Sequence, residues 1–193
     1  MRVSTGKYQR RELVYPRCGL RPTKTVTRQA MFNSAGSKTR GARVLDLYAG
    51  GGSLGIEALS RGAESCTFVE QSGPVASFLR ANVKGMAGAR VIRGDVRRVL
   101  RRMRGREFDL IVADPPYLNE LVQVTVELVA EEGLLAAGGW LMVEHHRLEV
   151  PVPPEGWDVV REMKHGDSCV TVVRRRLRGK GVEGEEGPGL GTE

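Results

Sequence analysis

A chain of 193 residues with 27% charged and 40% hydrophobic side chains is sized for one domain of ordinary bulk and is too apolar for wholesale disorder. No apolar stretch approaches the ~20 residues of a bilayer span and the arginine-studded start lacks the apolar centre of a secretory signal, so a cytoplasmic protein, a monomer, is expected. The net charge of +7 is uneven, because residues 1–44 hold eleven Lys and Arg against Glu12 alone, and the remainder is therefore acidic.

Residues 1–42 read as a basic arm. Such asymmetry points to a polyanion, and without a long apolar helical face nucleic acid fits better than a membrane surface. Lys7, Arg10, Arg11, Arg21, Lys24 and Arg28 are the candidate phosphate contacts, with a merely solubilising tail as the competing reading. From 43 to 176 the pattern becomes one of short apolar runs alternating with helical segments. Strands are expected at 43–48, 65–70, 89–93, 108–113 and 140–144, and helices at 53–61, 75–84, 96–104 and 121–130. Units of this length imply a doubly wound α/β domain with parallel strands and helices on both faces. Residues 157–164 and 168–174 are separated only by His165, Gly166 and Asp167, which suits a hairpin, so an antiparallel pair should finish the sheet. Residues 177–193 have too little apolar content to pack and are expected to be disordered.

The chemistry gathers at two turns. Asp46 and the glycine-rich run that follows lie at the carboxyl end of the first strand, where open α/β sheets bind ligands. Gly50, Gly52 and Gly55 spell GxGxxG, and Glu70 ends the second strand 20 residues after Gly50. Read literally this is a dinucleotide fingerprint, with the acid on ribose hydroxyls. Asp46 opposes that reading, since its carboxylate would face a pyrophosphate, whereas S-adenosylmethionine brings an ammonium and a sulfonium and no phosphate. Asp114, Pro115, Pro116 and Tyr117 follow the fourth strand. An exocyclic amine is a poor nucleophile because its lone pair is delocalised into the base. The Asp114 carboxylate and a carbonyl of the Pro115–Pro116 turn can hold its two N–H bonds, and Tyr117 can stack on the unstacked base. An ordinary Pro-rich turn with an exposed Tyr is the alternative.

Asp95 reads as a helix N-cap and as an acceptor for an adenine amine. Asn82 is expected on a helix surface and His145, His146 and His165 at edges or the surface, without metal-like spacing; no metal is expected. Arg97 to Arg104 read as a solvated helix face. Cys18, Cys66 and Cys169, without a CxxC pair, read as reduced packing residues.

Several segments together resemble the RsmD-type family of bacterial methyltransferases acting on a guanine N2 in small-subunit ribosomal RNA. They are Gly-Lys-Tyr at 6–8, Arg-Pro-Thr at 21–23, Ala-Met-Phe-Asn at 30–33, the run from Val44 to Ala63, Phe-Val-Glu at 68–70, Asp-Pro-Pro-Tyr at 114–117 and His-Gly-Asp-Ser at 165–168. The resemblance implies a class I methyltransferase fold, a seven-stranded sheet with its last strand antiparallel. It implies S-adenosylmethionine as cofactor, held by Asp46, Tyr48, Gly50, Gly52, Glu70, Asp95, Val96 and Asp114, with 114–117 on the target base and ribosomal RNA as partner. The chain departs from the family at 24–30, where Arg28 is kept but the usual acids are absent, and at His165, where a Tyr is usual. A DNA or tRNA amino methyltransferase, an NAD-binding oxidoreductase and an RNA-binding assembly factor with a lapsed site remain alternatives.

Overall fold

The computed structural model describes residues 1–16, 25–117 and 119–176; Cys18, Arg21, Lys24 and the expected tail 177–193 lie outside them. Strands β1 (Arg43–Leu47), β2 (Ser65–Glu70), β3 (Ala89–Arg93), β4 (Phe108–Ala113) and β5 (Leu135–His146) alternate with helices α2 (Ser53–Ser60), α3 (Gly73–Val83), α4 (Val96–Arg102) and α5 (Leu121–Glu131). Strands β6 (Trp157–His165) and β7 (Ser168–Arg175) close the chain. The sheet order is β3-β2-β1-β4-β5-β7-β6, with β1 to β5 parallel and β7 antiparallel to both of its neighbours. This is the class I S-adenosylmethionine methyltransferase fold.

Near-continuous apolar runs form the central strands because both sheet faces are covered. Val44, Leu110, Val112, Met142, Val170 and Val172 face one layer with α2 and α3, whose Ile56, Leu59 and Leu79 meet them. Leu45, Leu47, Ile111, Leu141 and Val143 face the other, against Leu100 of α4 and Val126 and Val129 of α5. One strand is longer than expected. β5 starts at Leu135, which pairs with Phe108, and the register then slips so that Trp140 pairs with Leu110. The intervening Ala-Ala-Gly-Gly is a bulge inside a strand, where composition suggests a turn.

The larger departure precedes the sheet. Thr25–Ala35 forms a helix, α1, whose Thr27, Arg28, Met31, Phe32 and Ala35 make a buried stripe at helical spacing. Residues 1–13 double back on themselves, with Val3 N donating to Arg11 O at 3.1 Å and Leu13 N to Met1 O at 2.8 Å. Val3 and Leu13 enter the same core as Met31, Phe32 and α2. Position 42 is thus a boundary of charge and composition, and packing runs across it.

Arg28 is not available to a phosphate. It is fully buried, because its place in the α1 stripe turns it toward the equally buried Glu57 of α2, with Nε 3.4 Å from Oε2. Its Nη2 donates to Arg2 O at 2.8 Å and Ser4 Oγ at 3.1 Å, while Glu57 also accepts from Ser4 N and Arg61 Nε, each at 2.9 Å. One ion pair thereby fastens the first residues to α1 and α2. Arg28→Met removes the fully buried one of the two counter-charges of Glu57, leaving Arg61, together with the bonds to Arg2 O and Ser4 Oγ, and is expected to cost about 3 kcal/mol in urea denaturation. Arg2→Ala, which breaks the exposed pair with Glu12, should leave the midpoint unchanged.

Candidate active site at the carboxyl ends of the central strands

Asp46 sits between Leu45 and Leu47 near the end of β1, with its side chain on the α2 face. Oδ2 accepts from Gly55 N at 2.8 Å, so this carboxylate holds the first turn of the helix that follows. The chain reverses between them through left-handed residues, Tyr48 at φ 57°, Gly50 at 54° and Gly52 at 87°. Gly52 meets that requirement without strain. Tyr48 is kept there by a hydrogen bond between its hydroxyl and Thr125 Oγ1 at 2.8 Å. Glu70, ending β2, braces the same turn: Oε2 accepts from Gly50 N at 2.9 Å and Oε1 from Ser72 N at 2.7 Å.

Asp95 caps α4, accepting from Arg98 N at 3.2 Å, and stands at the end of β3 with part of its carboxylate exposed. Val96, the first residue of α4, buries its side chain in the core shared with α5. Asp114 to Tyr117 follow β4 directly, Asp114 N approaching Leu47 O of β1 at 3.5 Å. Pro115 is buried, Pro116 exposed and Tyr117 half-buried. The Tyr117 hydroxyl donates to Glu144 Oε1 at 3.0 Å, and burial and the neighbouring carboxylates push its pKa up to about 12. The expected donor residues and the expected base turn therefore occupy one edge of the sheet.

Other side chains at this edge escaped the sequence reading. Asn82 is buried rather than on a helix surface: Nδ2 donates to Val14 O and Gly51 O, both at 2.9 Å, and Oδ1 accepts from Val14 N at 2.8 Å. The ring of Tyr15 lies against Gly51, where any Cβ would come within 2.3 Å of it. Glu144 and Ser168 meet beneath Tyr117. His145 is also buried, contrary to expectation, because β5 lies inside the sheet; Nε2 pairs with Thr171 Oγ1 at 2.8 Å. Ser168 belongs to the His-Gly-Asp-Ser segment of the resemblance; Tyr15, Asn82, Glu144 and His145 have no motif of their own, and only position at the end of a strand could have drawn attention to Glu144 and His145.

The basic side chains are distributed differently. Arg10 is exposed, and Arg11 donates to Lys84 O at 3.0 Å. Lys7 lines an open pocket of about 650 Å³ with Arg40, Arg61, Asn33 and Ser60. That pocket is at the carboxyl end of α2 and hence at the opposite end of β1 from the glycine turn. Arg97, Arg98, Arg101 and Arg102 form an exposed face of α4, as expected, and Cys66 and Cys169 are buried. The dinucleotide reading loses ground, since that fold has an all-parallel order 3-2-1-4-5-6 while here antiparallel β7 lies between β5 and β6.

Full burial pushes the pKa of Asp46 from 3.8 to about 8, against the Gly55 N–H and with help from Asp114 and Glu70. Between those values the folded protein holds a proton that the unfolded chain releases, so this group lowers stability as pH rises toward 8. Asp46→Asn removes that dependence. Thermal melts should show the variant gaining on wild type between pH 5 and pH 8.5, with the larger advantage at the higher pH.

Residues 1–174 match the family described as Conserved hypothetical protein 95. "Putative rRNA methyltransferase YlbH" of Bacillus subtilis is 35% identical over 91% of this chain and 100% of its own length. Ribosomal RNA small subunit methyltransferase D of Escherichia coli is 30% identical over 93% and 92% of the two chains. The solved structure of yhhF from Escherichia coli superposes with a TM-score of 0.82 at 31% identity, covering 91% of this chain and 98% of that one. With that coverage and the sheet order above, the chain belongs to the Conserved hypothetical protein 95 family of RsmD-type, S-adenosylmethionine-dependent methyltransferases.

Proposed function

We propose that this protein transfers a methyl group from S-adenosylmethionine to the exocyclic N2 amine of a guanine in small-subunit ribosomal RNA. The observation that carries the reading is the meeting, at adjacent strand ends, of the glycine turn held by Asp46 and Glu70 with the Asp114–Tyr117 turn. The name of the Escherichia coli relative supports ribosomal RNA as the substrate class.

The residues fit the donor. Asp46 is a carboxyl group buried at the glycine turn, and the repulsion from Asp114 and Glu70 that helps keep it protonated is relieved by a ligand carrying cationic groups and worsened by a phosphate. Tyr48, Gly50 and Gly52 shape the turn; Glu70 and Asp95 stand at the ends of β2 and β3 as acceptors for ribose hydroxyls and an adenine amine. When bound, S-adenosylmethionine supplies an electrophilic methyl group. Asp114 and a carbonyl of Pro115 or Pro116 accept the amine's N–H bonds, which localises the nitrogen lone pair and aims it at the donor. Tyr117 stacks on the base. Pro115, fixed in φ and buried, keeps the acceptors in place before the base arrives. After transfer the nitrogen sheds one proton, for which Asp114 is the nearest assigned base.

Incubating small-subunit RNA from cells lacking the protein with purified enzyme and donor tests the reading by mass-spectrometric nucleoside analysis. N2-methylguanosine should form with wild type and not with Asp114→Ala, while calorimetric affinity for S-adenosylhomocysteine stays within a few fold. N6-methyladenosine or N4-methylcytidine as the product would transfer the reading to the other amino methyltransferases.

Phosphate contacts are assigned to Lys7, Arg10 and Arg11, and beyond the described residues to Arg21 and Lys24; Arg28 serves the core instead. Replacing Arg10, Arg11, Arg21 and Lys24 by Glu should abolish RNA affinity and flatten its salt dependence. The rise in melting temperature given by S-adenosylhomocysteine should persist. A wild-type salt slope in this variant would make the segment a solubilising one and favour the arginines of α4.

A further inference from the structure

Two turns from distant parts of the chain converge on one buried carboxylate. Glu144, near the end of β5, is 3% exposed. Its Oε1 accepts from Tyr117 Oη at 3.0 Å and from Ser168 Oγ at 2.6 Å. Both donors use the same oxygen. Oε2 is buried and has no hydrogen-bond partner among the described residues. Strand register also places Glu144 beside the chemistry: Ala113 of β4 pairs with Val143 of β5, so Asp114 and Glu144 are the next residues on neighbouring strands.

A carboxylate that served only to hold Tyr117 and Ser168 would be expected to have both oxygens satisfied, because a buried acceptor without a donor is costly. The spare acceptor next to Asp114 suits a ligand that presents an N–H beside its exocyclic amine. Among the RNA bases that carry an exocyclic amine, guanine alone has an N–H, at N1, next to it. Adenine N1 and cytosine N3 present lone pairs there, which a carboxylate repels.

We infer that Glu144 selects the base, its carboxylate accepting the N1–H of the target guanine while Asp114 and the adjoining turn carbonyl take the N2 amine. This rests on the methyl-transfer reading above and gives it a specificity-determining residue. Tyr117 occupies Glu144 until the base arrives. It is half-buried and sits on a turn, so it turns away from the carboxylate to stack on the entering base. Ser168, the first residue of β7 after the tight β6–β7 turn, stays bonded to Oε1 and keeps the carboxylate oriented.

The test is an RNA substrate in which 2-aminopurine replaces the target guanine, since that base keeps the amine but has a bare N1. Wild-type enzyme should use it with kcat/KM lower by ~100-fold or more, the rejection expected where a buried polar group is left facing a lone pair. In Glu144→Gln, whose amide can donate to N1, the preference should shrink to within ~10-fold. A variant that loses activity equally on both substrates, with the ratio unchanged, makes Glu144 structural and overturns the inference. Should the variant not fold, the wild-type ratio decides alone: equal use of the two bases overturns the inference. Failure of wild type to methylate the guanine RNA overturns the methyl-transfer reading itself, and is thereby distinguished from a guanine-active enzyme that ignores N1.

Discussion

The hydrogen bond from the Gly55 amide to the buried carboxylate of Asp46 sets the geometry of the carboxyl edge. It joins the end of β1 to the start of α2 across a turn that must pass through left-handed backbone at three residues. With Asp46 fixed to α2, Gly50 is brought within reach of Glu70, and β1 and β2 share one rigid rim. Leu47 then leads to Asp114 on the next strand, and Ala113 and Val143 set the step to Glu144. Four carboxyl groups, Asp46, Glu70, Asp114 and Glu144, on or directly after four adjacent strands thus line one edge of a protein whose net charge is +7.

That arrangement separates charge along the molecule. Carboxylates gather at the carboxyl ends of β1, β2, β4 and β5, while Lys7, Arg40 and Arg61 open onto the amino end of the same sheet. A strand of five or six residues spans ~17–20 Å, so under the proposed function a polyanion gripped at the basic end would have several nucleotides in which to reach the acidic rim. On that reading the phosphates need not approach the acidic rim, and only an uncharged base would have to enter it.

Most of the sheet was legible in the chain because each central strand is a short β-branched or leucine run bounded by turn residues. The glycine turn and Asp114–Tyr117 were legible for a different reason: their residue types are rare together after strands. The N-terminal helix was not. Its buried stripe contains Thr27 and Arg28, and an arginine amid ten other cations reads as solvated until Glu57 is seen opposite it. Asn82, Glu144 and His145 share this difficulty, since a polar side chain signals burial only through partners remote in sequence, here Val14, Tyr117 and Thr171. The start of β5 was hidden by two glycines that belong to a bulge.

The doubled-back start of the chain has a consequence for how the protein is made. Ser4 is held by Glu57, Lys7 N by the carbonyl of Ser60, and Val14 by Asn82. Ser4, Lys7 and Val14 therefore wait during synthesis for partners some 50 to 70 positions later before any of these contacts exist. Contacts of such sequence separation carry a loop-closure cost and form late. Residues 1–14 thus lack these contacts until α2 and α3 have been made, and their docking marks the moment when the glycine turn, clasped by Asn82, becomes complete.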